Sequence, residues 1–261
     1  MVDNYVINGV WHGDRPLTNI QKLCIRSYQA NGHQFQLWTT AGRVPDVPAG
    51  TVIRDTYEIL PYKVPMFVGE NYFSDYFRVL LIQKIGGWYV DLDTVCLQHF
   101  DIGDDRAFVS ESRLGPMKQP GEAPGTASNQ VQEYLSGCIF KAPQGDPMMQ
   151  YILDRIEMMD TLHPRNWICM GPELFQEAIP RFNYRGFVQP PSVFDALNYN
   201  DYELFVSGGV DWPAWPSEAL SIHLRTSFWQ EKYHPILKPN GVFPADSMYE
   251  RLKAKYGVTN V

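Results

Sequence analysis

Long hydrophobic runs are missing from this 261-residue sequence. No stretch approaches the ~18 apolar residues of a membrane-spanning helix. The opening MVDNYVINGVW has neither a basic head nor an apolar core, so no secretory signal is expected. Cysteine is scarce: Cys24, Cys96, Cys138 and Cys169 are widely spaced, with no C-x-x-C pair. That excludes a zinc ribbon or a dense disulfide framework and points to buried, reduced thiols in a reducing compartment. Clusters of Lys and Arg are also lacking, and the net charge is −7, so a nucleic-acid partner is not expected. No Walker loop, G-x-G-x-x-G or convincing Ser-His-Asp arrangement is present. No internal repeat or second domain boundary is visible, and residues 1–261 read as one domain.

What is present is concentrated in residues 71–95, NYFSDYFRVLLIQKIGGWYVDLDTV. Ser74 to Ile85 has the composition of a helix, with Asp75 and Arg78 three positions apart on one face. Gly86 and Gly87 end it. Trp88, Tyr89 and Val90 open a strand, since aromatic and β-branched residues suit a pleated, half-buried surface. Asp91 and Asp93 are expected on one side of that strand, by its period of two. Two carboxylates so close repel unless a cation lies between them, and a hard divalent ion with oxygen ligands resolves the conflict.

Elsewhere the pattern is that of an α/β chain. Strands are expected at 5–11, 35–38 and 52–53, and a helix at 17–31 with Leu17, Ile20, Leu23 and Cys24 inward. Val95 to Leu97 should continue the D-x-D strand, and Ala107 to Ser110 and Leu135 to Lys141 should form two more. Residues 112–130, crowded with Gly, Pro and Ser, read as a long surface loop, a lid or acceptor-side segment. Pro147 to Met159 reads as a helix, Gly171-Pro172 opens another, and Ser221 to Leu224 and Asp246 to Tyr256 read as a last strand and helix. Residues 186–216 form an aromatic- and proline-rich connection.

Ser74-Asp75-Tyr76-Phe77-Arg78, Gly86-Gly87-Trp88-Tyr89 and Asp91-Leu92-Asp93 together resemble the sugar-nucleotide-binding region of the DXD-containing glycosyltransferases of family 32. Trp11, Gly13, Leu37 and Trp38 resemble the family's entry strands, Gly171-Pro172 the Gly-Pro pair that opens a helix bordering its active site, and Ile222 to Trp229 its late His-plus-Trp segment. The resemblance implies a GT-A-type (Rossmann-like) nucleotide-sugar-binding domain, with a mixed central sheet flanked by helices. It implies a metal-dependent, retaining hexosyltransferase. Asp93, His223 and Asp91 would hold Mn²⁺ or Mg²⁺. Asp75 and Arg78 would clamp the donor sugar and, with Asp93, carry the reaction. Trp11 would stack on the base, Tyr89, Asp91 and Leu92 would line the donor, and Trp229 would close over it. Arg225 is a weaker candidate for neutralising phosphate, and Glu133 for assisting the acceptor. A UDP-sugar is favoured over GDP-mannose as donor, with a saccharide, glycan or glycolipid as acceptor, and bacterial surface polysaccharide assembly as the expected setting. The implied place is the cytoplasm, free or peripherally associated with the inner face of the membrane.

Two rivals stand beside this. Val90-Asp91-Leu92-Asp93-Thr94 also fits the first motif of haloacid-dehalogenase-type phosphatases, with Asp91 as nucleophile, Asp93 as general acid and Mg²⁺ beside them. Two earlier strands and the missing downstream acidic pair count against it. A non-catalytic carbohydrate-binding protein is the other, favoured by an aromatic content of 14%.

Overall fold

Period-two and period-3.6 segments alternate along the chain, and the computed structural model, which describes residues 4–60, 66–114, 131–197, 201–229 and 238–259, folds them into one α/β arrangement. The elements are β1 (Val6–Trp11), α1 (Asn19–Ala30), β2 (Gln34–Thr39), β3 (Val52–Asp55), α2 (Glu70–Ile85), β4 (Gly87–Val90), β5 (Thr94–Cys96), β6 (Ala107–Leu114) and β7 (Val131–Ala142). They continue as α3 (Pro147–Glu157), α4 (Pro172–Arg181), β8 (Val188–Gln189), α5 (Pro191–Phe194), α6 (Tyr202–Val206), β9 (Ser221–His223) and α7 (Met248–Lys255). Among the described residues seven strands form a mixed sheet in the order β3-β2-β1-β4-β7-β6-β8. The β1–β2, β2–β3 and β1–β4 pairs are parallel, and β7 runs antiparallel to β4 and β6. A second, two-stranded sheet pairs β5 with β9.

The alternation of side chains gives the sheet two cores. Tyr89 and Phe140 point to the face covered by α2, α3 and α4. Their neighbours Trp88, Val90 and Ile139 point to the opposite face, against Ile25 and Tyr28 of α1. Every one of these side chains is at most 1% exposed. Both faces are thus apolar, as parallel strands between helices require. A third core joins α6, α7 and β9 around Trp229 and Tyr249.

Helix ends follow local chemistry. Gln21 accepts from the Thr18 N–H at 2.9 Å to start α1, and Asp146 accepts from the Met148 N–H at 2.8 Å ahead of Pro147 to start α3. Gly86 ends α2 with φ +69°, and a Cβ there would lie 2.6 Å from the Gln144 nitrogen, so the turn needs glycine twice over.

Three expectations are corrected. α2 begins at Glu70 rather than Ser74. Val95 does not continue the D-x-D strand: β4 stops at Val90, and residues 91–93 make a turn closed by the Thr94 N–H and Oγ1 on the Asp91 carbonyl, at 3.2 and 2.9 Å. The chain then enters β5 in the other sheet. Finally, β6 reaches Leu114, inside the stretch 112–130 read as loop, and β7 starts at Val131 rather than Leu135, while 115–130 lies outside the described residues.

Candidate active site

At the C-terminal end of β4, where the chain leaves the sheet, an open cleft of about 340 Å³ is lined by Trp11, Asp75, Arg78, Asp91, Asp93 and His223, among others. One wall comes from the α2–β4 stretch. The Arg78 guanidinium lies 3.1 Å from Asp75 Oδ1 and 3.1 Å from Asp91 Oδ1. Its Nη1 donates to Asp91 Oδ2 at 3.2 Å and to the Gly137 carbonyl at 2.8 Å. Its Nε donates to the Ser74 carbonyl at 3.2 Å. Both Asp91 oxygens are therefore held, and the Tyr89 hydroxyl adds a bond to Oδ1 at 3.0 Å. The fork geometry of guanidinium suits such a shared clamp. Gly171, which precedes Pro172 of α4, lies directly against the Asp75 carboxylate, and a Cβ there would sit 2.5 Å from Oδ1.

The other wall is assembled from distant segments. Asp93 Oδ2 accepts from the Thr226 N–H at 2.8 Å and from its hydroxyl at 2.9 Å. Asp93 Oδ1 faces His223 Nε2 at 3.3 Å. The register of β5 against β9, with Thr94 opposite His223, fixes this meeting, and the Leu224 N–H extends it to the Asp93 carbonyl at 2.7 Å. Behind His223, Glu111 Oε1 lies 3.2 Å from Nδ1 and 3.5 Å from the Cys138 thiol. Glu111 Oε2 lies 3.4 Å from the Arg225 guanidinium, which also pairs with Asp195 and donates to the Tyr202 hydroxyl at 2.8 Å.

Charge and burial compete throughout. Burial pushes Asp75 up, Arg78 pulls it down, and the carboxyl settles at about 7. Burial likewise outweighs Arg78 at Asp91, whose pKa is raised. At Asp93 the balance is reversed: burial is overcome by the His223 charge and by hydrogen bonds from His223 and Thr226, leaving it at about 2. Burial disfavours a charged His223, but its anionic neighbours prevail and hold its pKa well above the ordinary histidine range. Asp91 and Asp93 are thus held by separate partners, the Arg78 guanidinium on one and His223 with Thr226 on the other.

The structure brings Trp11, Asp75, Arg78, Tyr89, Asp91, Leu92, Asp93 and His223 to one cleft. Trp11 is half-buried at the end of β1, its indole N–H donating to the Arg15 carbonyl at 2.9 Å. Tyr89 is buried and reaches the cleft by its hydroxyl. Leu92 packs beneath the turn against Gly9.

Trp229 is a correction. It is 1% exposed in the third core, against Phe243 and Tyr249, with its indole N–H on the Leu224 carbonyl at 2.8 Å, and it does not line the cleft. Arg225 is held by carboxylates and is 4% exposed. The Glu133 side chain is outside the described residues.

Sequence inspection missed Glu111, Asp195 and Thr226. It also missed Trp167, an exposed aromatic on the cleft rim. The acidic pair carried no local signal, since their partners are 112 and 30 positions away. Gly171-Pro172 is legible as a helix start and, by resemblance, as a border of the active site, but not as the seat of Asp75.

Residues 19–109 match the family model described as the glycosyltransferase sugar-binding region containing the DXD motif. These residues thus carry the DXD glycosyltransferase sugar-binding region. The match spans α1 to the start of β6 and includes Asp75, Arg78, Asp91 and Asp93, while His223 and Glu111 lie beyond it. No curated protein matches the chain. Among solved structures it is similar to the UDP-bound glycosyltransferase domain from the YGT toxin, with 9% identity over 76% of this chain and 82% of that one and a TM-score of 0.48. It is also similar to the PaToxG glycosyltransferase, with 14% identity over 69% of each chain and a TM-score of 0.45. The galactosyltransferase LgtC in complex with donor and acceptor sugar analogues matches at 12% identity, over 98% of this chain and 97% of that one, with a TM-score of 0.44. The seven-stranded mixed sheet among the described residues, with its carboxylates just past the end of a central strand, is the mixed central sheet flanked by helices that the sequence implied. No helix among the described residues is long and apolar enough to cross a membrane.

Proposed function

We propose that this single-domain enzyme, 1–261, moves a hexose-type sugar from a UDP-sugar to a hydroxyl of a saccharide, glycan or glycolipid, with retention of anomeric configuration. The observation that carries the proposal is the convergence of Asp91, Asp93 and His223, whose ligand atoms lie within 4.8 Å of one another, beside the Asp75–Arg78 clamp in one cleft. Two carboxylates and one imidazole suit a hard divalent ion such as Mn²⁺ or Mg²⁺. The residues fit: Asp93 and His223 face each other through Oδ1 and Nε2, while Thr226 occupies the far oxygen of Asp93. The chemistry such an ion supplies is neutralisation of the pyrophosphate and of the charge that grows on it as the glycosidic bond breaks.

The chain's own residues do the rest. Asp93 and His223 would hold the ion, and Asp91 would act at longer range because Arg78 and Tyr89 already claim its oxygens. Trp11 receives the base, and Asp75 and Arg78 orient the donor sugar's hydroxyls from the cleft floor. Retention favours attack on the face that the nucleotide leaves, with the departing phosphate taking the acceptor's proton. The exposed Trp167 on the rim offers an apolar face to an acceptor ring. Surface polysaccharide assembly in the cytoplasm, with peripheral attachment to the inner membrane face, is the setting this chemistry suits. The phosphatase alternative is disfavoured by Asp91 itself, since a carboxylate bound at both oxygens by Arg78 is a poor nucleophile.

Calorimetric titration of UDP and of GDP, each with and without Mn²⁺, tests the proposal. UDP is expected to bind the wild type in a Mn²⁺-dependent manner, and Asp93→Ala should weaken that binding at least ~10-fold, the order of loss on removing a metal-site residue. Absence of binding to either nucleotide, with or without the ion, would sink it.

A further inference from the structure

Glu111 is the least expected charge in the molecule. It sits on β6, is 1% exposed, and no sequence pattern singles it out. A carboxylate buried so deeply is costly unless partners compensate it. Here they do: one oxygen faces the His223 imidazole at Nδ1, 3.2 Å away, and the Cys138 thiol. The other faces the Arg225 guanidinium at 3.4 Å. Arg225 is in turn tied to Asp195 and Tyr202, and the Tyr202 hydroxyl donates to the His223 carbonyl at 2.7 Å. Both the ring and the backbone of His223 are thus gripped from behind by one buried network. An imidazole with Nδ1–H donated to a carboxylate presents only Nε2 as a lone pair, and Nε2 is the nitrogen turned towards Asp93.

We infer that Glu111 is a positioning residue: it fixes the His223 ring and tautomer so that Nε2 is offered to a divalent cation shared with Asp93, and Arg225 holds Glu111 in place. This rests on the metal-dependent donor site proposed above. Glu111 borders the cleft but is only 1% exposed to it. It acts through the histidine, across a sheet-to-sheet contact between β6 and β9. Cys138 on the same oxygen raises one competing arrangement, an inner site for a thiol-loving ion formed by Glu111, Cys138 and His223 Nδ1.

The experiment measures Mn²⁺ binding to the full chain by calorimetry, with UDP titrated in parallel, for the wild type, Glu111→Gln, Glu111→Leu and Cys138→Ser. Imidazole ¹⁵N spectra are recorded on the Mg²⁺-loaded proteins. In the wild type His223 should carry its proton on Nδ1. Glu111→Leu should lower Mn²⁺ affinity ~10- to 100-fold, the usual cost of losing a residue that orients a metal-bound histidine, and should mix the tautomers. Glu111→Gln, which keeps an oxygen for Nδ1–H, should retain the tautomer and most of the affinity. Cys138→Ser should bind Mn²⁺ like the wild type.

A wild-type proton on Nε2 would overturn the inference, and this needs no variant to fold. So would unchanged Mn²⁺ affinity in both Glu111 variants, or a loss in Cys138→Ser equal to that in Glu111→Leu. A wild type that binds neither Mn²⁺ nor UDP would instead defeat the donor-site proposal on which this one stands.

Discussion

The two walls of the cleft solve one problem, seating carboxylates where water is scarce, by different means. On the α2–β4 wall a single guanidinium serves Asp75 and Asp91, and all three residues lie within 17 positions of sequence. On the β9 wall Asp93, His223, Glu111, Arg225 and Asp195 alternate in sign, drawn from four segments. The first wall is a local device, stable once one helix packs on one strand. The second exists only when β5, β6 and β9 are all in register. The comparison teaches that the wall read here as holding the metal is the one most dependent on tertiary structure.

Removing the arginines tests that contrast most severely. Arg78→Met leaves Asp75 and Asp91 buried without their shared cation, and Arg225→Met does the same to Glu111 and Asp195. Each should cost about 3–5 kcal/mol, the range for breaking a buried ion pair, read from urea unfolding midpoints. The walls part company in what survives. Arg225→Met should also weaken Mn²⁺ binding, because His223 loses its rear support, whereas Arg78→Met should leave that affinity within a few-fold. Equal loss of Mn²⁺ binding in both would erase the distinction.

A smaller effect is expected at Gly171. Its Cβ in Gly171→Ala would press on the Asp75 carboxylate from 2.5 Å, so either Asp75 or the start of α4 must move. Overpacking of this kind costs about 1–3 kcal/mol. The local wall should suffer alone: sugar transfer should fall while Mn²⁺ affinity holds. Wild-type transfer rates in Gly171→Ala would show that Asp75 is not held by this contact.

The smallest effect is a slope. Asp75 moves from the ordinary 3.8 to about 7 on folding, so the folded chain binds the extra proton in that window. Stability from neutral Asp75 is therefore full below about pH 4 and is lost as pH rises to about 7. In metal-free protein, Asp75→Asn should flatten this part of the pH–stability curve. An unchanged curve would mean that Arg78 holds Asp75 ionised across the range.

How much was legible beforehand follows the same division. Asp75, Arg78, Asp91 and Asp93 were visible because helix and strand periods place near neighbours predictably. Even there, the turn after Val90 was read as continuing strand, since Thr94, Val95 and Cys96 have strand composition in either sheet. His223 was found through its motif, while Trp229, six residues on, was misplaced: one bond from its indole to the Leu224 carbonyl turns it into the core. Glu111 and Asp195 gave no signal, because a lone acid in an apolar strand or loop acquires meaning only from its partner.

By itself, then, the sequence determined the α/β class, the extents of most helices and strands, the glycine turn at Gly86 and the Asp75–Arg78 pair. All of these depend on contacts within a few residues and on hydrophobic period. Tertiary structure alone decided that Asp93 meets His223 and Thr226, that Glu111 stands behind the imidazole, and that Trp229 is core. Those contacts join residues up to 133 positions apart, and only the pairing of β5 with β9 and the packing of β6 beside them can choose among the many partners a buried charge might take.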